Sequence, residues 1–145
     1  DFSSEDRFPP IDWAVSGDTE LAVAREAPAA RPGNPALAFN AGPSSAGRVV
    51  SQLLSLPSGT YRLRSTAGRL GERDRLHWVM YCPVPRPVPL LDHRIAASDS
   101  ADEAMVTIPR TGCAVQVLAL ELSSGRAGAD VRGWIDDVRI ERAMQ

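Results

Sequence analysis

The chain has 145 residues, 43% of them hydrophobic and 23% charged, a composition that fits one globular domain and excludes a disordered or fibrous chain. Sixteen basic residues against eighteen acidic ones leave a net charge of -2, which excludes the basic surplus that nucleic-acid binding draws on. No apolar run approaches the ~20 residues that a membrane-crossing helix needs.

The chain opens on Asp1 rather than Met, which predicts a single module, residues 1–145, processed or cut from a longer protein. Strand-like runs then recur between Gly, Pro and Ser. They are Ile11–Val15, Glu20–Ala24, Ala36–Asn40, Arg48–Leu56, Thr60–Ala67, Arg75–Cys82, Leu90–Ala96, Ala104–Ile108, Ala114–Leu122 and Gly133–Glu141. Short strands at such regular intervals predict an all-β, two-sheet antiparallel β-sandwich. No segment holds a 3.6-residue period over three turns, and Pro28 and Pro32 cut the Ala-rich stretch after Glu20.

Three runs carry detail. Leu56-Pro57-Ser58-Gly59-Thr60 reads as a three-residue hairpin loop, with Pro at a type I turn position and Gly where a bulge needs positive φ. That loop would pair Leu53 with Leu63 and Gln52 with Arg64. Val49, Leu53, Tyr61 and Leu63 would then face the core, and Gln52, Leu54, Arg62 and Arg64 a polar surface. In Arg75–Cys82, residues Arg75, His77, Val79 and Tyr81 share one face, while Leu76, Trp78, Met80 and Cys82 share the other. In the last run, Trp134, Asp136, Val138 and Ile140 read as the core face, which turns Asp136 inward and Ile135 outward. An inward carboxylate must be hydrogen-bonded or bind a metal.

Catalytic and metal signatures are sparse. No Gly-x-Ser-x-Gly elbow is present, and the adjacent Asp136 and Asp137 point to opposite faces of a strand, so they cannot act as an acid/base pair across one bond. The chain reads as a non-enzyme. His77 and His93 lack the His-x-x-x-His spacing of a metal site, and the two cysteines, Cys82 and Cys113, are neither a zinc set nor a Cys-x-x-Cys redox pair. One disulfide or two buried thiols are the readings left. Pro83 to Pro89, with proline at every second position, reads as a stiff extended loop.

Four segments together resemble the jelly-roll carbohydrate-binding modules of the galactose-binding-like superfamily. They are Asp1-Phe2 with Ile11-Asp12-Trp13, Pro35-Ala36-Leu37-Ala38-Phe39, the run from Val50 to Leu63 with its Gln52 and Leu56-Pro57-Ser58-Gly59-Thr60-Tyr61, and the closing Trp134-Ile135-Asp136-Asp137-Val138-Arg139-Ile140. The resemblance spans nearly the whole chain, and its motifs are mainly structural. It implies a jelly roll and a non-catalytic module that holds a glycan or extracellular polymer beside a larger envelope or export protein, secreted or periplasmic. The alternative is a structural module that docks protein neighbours and binds no sugar.

Sugar binders of this kind usually expose aromatic platforms. Trp13, Tyr61 and Trp134 are more simply core residues, which leaves Trp78 and Tyr81 as platforms, with core burial the competing reading for Trp78. The expected ligand-binding set is Gln52, Arg62, Arg64, His77, Trp78, Tyr81 and Gln116, set against a plain solvated face packed by arginine stems. Within a sandwich, Cys82 at the end of one strand and Cys113 at the start of another can reach disulfide separation, so a bond between them is expected. The resemblance also raises a structural calcium held by Asp136 and an N-terminal residue such as Glu5. The sparse acidic neighbours favour a metal-free Asp136 held by backbone N–H groups, and no other cofactor is implied.

Overall fold

Leu76–Cys82 alternates between buried and partly exposed positions, and Gln116–Leu122 does so except at the buried Ala119, so each presents one side to a core, and both lie inside a sheet rather than at its edge. The computed structural model describes residues 14–15, 21–26, 36–41, 47–68, 76–95, 100–123 and 131–143. These residues form ten strands: β1 (Ala14–Val15), β2 (Leu21–Glu26), β3 (Ala36–Ala41), β4 (Gly47–Leu54), β5 (Gly59–Gly68), β6 (Leu76–Cys82), β7 (Val88–Arg94), β8 (Ser100–Ile108), β9 (Gln116–Leu122) and β10 (Val131–Arg142). The first sheet has the order β1-β4-β9-β6-β7 and the second β2-β3-β10-β5-β8. The described pairings are antiparallel, and the fold is the expected two-sheet jelly-roll sandwich.

The core lies between the sheets. Val50, Leu76, Trp78, Met80, Leu118 and Leu120 from the first meet Tyr61, Leu63, Val106, Ile108, Ile135 and Val138 from the second. Each such aliphatic side chain contributes about 1.5–3 kcal/mol by leaving water. Two polar contacts tie the sheets together. Trp78 Nε1 donates to Ser65 Oγ at 3.0 Å, and His93 Nε2 lies 2.7 Å from Asp102 Oδ2. Trp78 and His93 are cross-strand partners, as are Ser65 and Asp102, so the two contacts stand side by side.

His93 and Asp102 side chains are only 28% and 11% exposed, which makes each the other's replacement for water. His93→Leu is expected to lower stability by about 1–3 kcal/mol, because it strands a mostly buried carboxylate. Asp102→Asn, which keeps an acceptor beside His93, should cost less. Thermal unfolding of the two variants checks this, and a smaller shift for His93→Leu than for Asp102→Asn would contradict it.

The structure corrects two strand readings. The Leu56–Thr60 segment is not a hairpin loop. β4 pairs with β1 and β9, and β5 pairs with β8 and β10, so the chain passes from one sheet to the other between them. The local chemistry suits such a corner. Leu56 N–H donates to Gln116 Oε1 at 2.8 Å, Gln116 Nε2 donates back to Leu56 O at 3.3 Å, and Tyr61 OH donates to Pro57 O at 2.7 Å. Gly59 does take positive φ, 146°, and a Cβ there would lie 2.8 Å from Arg142 Nη2. Gln52 consequently pairs with Leu118, and Arg64 with Glu103 and Arg139, in different sheets.

The second correction concerns β10. Ile135 is fully buried rather than outward, and Val138 is buried too. Two core positions three residues apart break simple alternation, and a bulge between Asp136 and Arg139 allows it. The backbone of Asp136 pairs with Thr66. The side chains of Trp134, Asp136 and Asp137, and the whole of Glu5 and Trp13, lie outside the described residues. Cys82 and Cys113 are bonded, with Cα atoms 5.3 Å apart. Among the described residues no helix is long and apolar enough to cross a membrane.

Candidate functional site

Cross-strand register sorts the expected residues onto three different surfaces. Trp78 is fully buried in the core, so it offers no platform. Gln116 is also fully buried and spends its amide on backbone, donating to Cys113 O at 2.8 Å as well as closing on Leu56. Gln52 sits opposite Leu118, on the core side of the first sheet. Arg62 and Arg64 lie on the outer face of the second sheet, where Glu103 takes both: Arg64 Nε donates to Oε2 at 2.9 Å, and Arg62 Nε stands 3.0 Å from Oε1 without hydrogen-bond alignment. These groups neutralise one another in water, where such pairs contribute less than ~1 kcal/mol. Of the expected set, Arg62 and Arg64 thus share the outer face of the second sheet, and His77 and Tyr81 share the outer face of the first.

That face can be built row by row. Antiparallel register puts Leu53, Val117, Tyr81 and Pro89 in line across β4, β9, β6 and β7. Next comes a line of Ser51, Ala119, Val79 and Asp92, and then a line of Arg48, Glu121, His77 and Arg94. One side is thus apolar with a phenol ring, the middle is mostly small, and the other side is charged. Leu53, expected to face the core, is instead 55% exposed on this outer face, while Leu54, expected to face outward, packs against the core. With strands ~4.8 Å apart, each four-residue line runs about 14 Å across the sheet.

The charged groups contact each other along and across these lines. His77 Nδ1 lies 3.1 Å from Asp92 Oδ1, and Asp92 is 71% exposed. Arg48 Nη2 donates to Tyr81 Oη at 2.9 Å and stands 3.9 Å from Glu121 Oε1. The guanidinium carbon is 5.8 Å from the centre of the Tyr81 ring. Chemically, the face offers guanidinium and imidazole donors, carboxylate acceptors and one ring beside small residues. Among the described residues no three or more His, Cys, Asp or Glu side chains are placed to hold a metal ion.

Sequence reasoning missed Arg48, Ser51, Leu53, Asp92 and Glu121. Alternation along Gln116–Leu122 already places Val117, Ala119 and Glu121 opposite the core side, so Glu121 was recoverable. Arg48 was not, because a bulge at Val49 buries both Val49 and Val50 and resets the alternation of β4.

No protein-family model matches the chain, and no curated protein matches it by sequence. Solved structures do match in fold. A carbohydrate-binding module named TmCBM61, solved in complex with beta-1,4-galactotriose, aligns with a TM-score of 0.58 at 21% identity, over 90% of this chain and 88% of its own. A family 16 carbohydrate-binding module aligns with a TM-score of 0.60 at 16% identity, over 90% of each chain. The enzymatically active domain of the bacteriophage CBA120 tailspike protein 4 aligns with a TM-score of 0.61 at 10% identity, over 93% of this chain but 20% of its own. At these identities the likeness is one of fold.

Proposed function

We propose that this domain, which has the jelly-roll fold of carbohydrate-binding modules, is itself a non-catalytic carbohydrate-binding module that takes its ligand on the outer face of the first sheet. The observation that carries the reading is the ordered change across that face, from the Leu53–Val117–Tyr81 line to the Arg48–Glu121–His77–Arg94 line. A sugar ring is amphipathic in the same sense. Its C–H face suits Tyr81 and the apolar line, and its hydroxyls suit the Arg94 guanidinium, the His77 imidazole and the carboxylates of Glu121 and Asp92 opposite. The small middle line leaves room for a linear chain to run across the strands. On the outer face of the second sheet, by contrast, Arg62 and Arg64 both stand against Glu103.

The disulfide suits an oxidising compartment, so we place the module outside the cytoplasm, secreted or periplasmic, holding a glycan or extracellular polymer beside a larger envelope or export protein. A protein-docking role is the second reading, favoured by the exposed Leu53, Val84 and Val88 around β4 and β7.

Titration calorimetry against a panel of oligosaccharides, including β-1,4-galactotriose and β-1,4-linked glucose trimers, separates the two. One or more glycans are expected to bind. Tyr81→Ala should weaken that binding by about 1–2 kcal/mol through loss of the ring, while Arg64→Ala, on the other sheet, should leave it unchanged. A panel with no binder would remove the proposal in favour of docking, and a glycan sensitive to Arg64 and indifferent to Tyr81 would move the site to the second sheet.

A further inference from the structure

Arg48 and Tyr81 belong to strands that are not neighbours. β9 lies between β4 and β6, so the 2.9 Å bond from Arg48 Nη2 to Tyr81 Oη spans it. Arg48 starts level with Glu121, and Tyr81 stands level with Val117. A diagonal between those levels crosses Ala119, midway along β9. Ala119 stands in line with Ser51 and Val79 on the outer face, and it takes no part in the core cluster, yet it is fully buried. The guanidinium therefore lies over the middle line, from the charged side to the phenol on the apolar side.

We propose that Arg48 is a strap that closes the middle of this face in the free protein and must swing away before a linear ligand can lie there. The inference rests on the carbohydrate reading of the same face. Its physical basis is competition. The strap anchors on the phenol hydroxyl and covers part of the ring face of Tyr81, the surface a sugar would use. Binding is then weakened by the fraction of molecules in which the strap is shut. A guanidinium on a half-buried ring and phenol holds by enough to shift that fraction about two- to fivefold. Two changes release the strap by different routes. Arg48→Ala removes it, and Tyr81→Phe keeps the ring while removing its anchor.

Two measurements test this. In the ligand-free protein, N-acetylimidazole should acetylate the Tyr81 hydroxyl faster in Arg48→Ala than in the parent. Tyr61, the only other tyrosine, is buried with its hydroxyl on Pro57 O and serves as the internal reference. In calorimetry with β-1,4-galactotriose and β-1,4-glucotriose, Arg48→Ala and Tyr81→Phe should each bind about two- to fivefold tighter than the parent. Equal acetylation rates would overturn the strap, and so would weaker binding in Arg48→Ala, which would make Arg48 a direct ligand contact. Loss of binding in Tyr81→Ala with no gain in the other two variants keeps the carbohydrate reading and removes the strap. If no variant binds either trisaccharide, the carbohydrate reading loses support and acetylation alone decides the strap.

Discussion

Replacing both Cys82 and Cys113 by alanine is expected to lower the stability of the domain by about 3–4 kcal/mol, roughly 10 °C in melting temperature. The bond closes a loop of sequence separation 31, and chain entropy makes that loop costly to hold closed in its absence. Cys82 ends β6, and Cys113 sits in the segment that leads into β9, which pairs with β6. The link thus clamps the entry of one central strand to the exit of its neighbour. Both residues are buried, so alanine is the replacement that adds no unsatisfied hydroxyl. Urea unfolding of oxidised parent and double variant measures the difference. A loss below about 1 kcal/mol would mean that the ladder between β6 and β9 holds the ends without the bond.

Gln116→Leu should cost about 2–4 kcal/mol, although it exchanges one buried side chain for another of similar size. Gln116 lies at the start of β9 with no exposure. Its amide oxygen takes the Leu56 N–H at 2.8 Å, and its amide nitrogen donates to Cys113 O at 2.8 Å and Leu56 O at 3.3 Å. It fastens the β4–β5 corner and the disulfide-bearing segment to one another. Leucine can fill the space but leaves three backbone groups without partners, and the penalty comes from those groups rather than from lost volume. Gln116→Glu is the informative companion, since it keeps the acceptor for Leu56 N–H and loses the donor. A Gln116→Leu variant as stable as the parent would show that water reaches these groups. Because Gln116 and the disulfide hold the same segment, the triple variant should lose less than the sum of the separate losses.

These two positions also mark the boundary between what could be read from the chain and what could not. Alternation is a local property, so the ten strands, the apolar side of Leu76–Cys82 and the burial of Tyr61 and Leu63 were legible in the sequence. The jelly-roll architecture and the pairing of the two cysteines were legible as well. The faces of Arg62, Arg64, His77 and Tyr81 as alternating outward positions were also readable, but not which sheet carries each. Sheet membership depends on pairing between strands far apart in the chain, and the Pro57–Gly59 signal is equally at home in a hairpin loop and in a corner between sheets. The corner prevails because Gln116, 60 residues away, takes both backbone groups of Leu56. Bulges hid the rest. An extra residue near Val49 and another between Asp136 and Arg139 each reset the period of two, turning Ile135 inward and leaving Arg48 free to cross β9. A bulge is set by the partner strand's register, which no single strand encodes. Strand and side-chain alternation therefore came from the sequence, while the tertiary structure alone decided which alternating residues meet on one face.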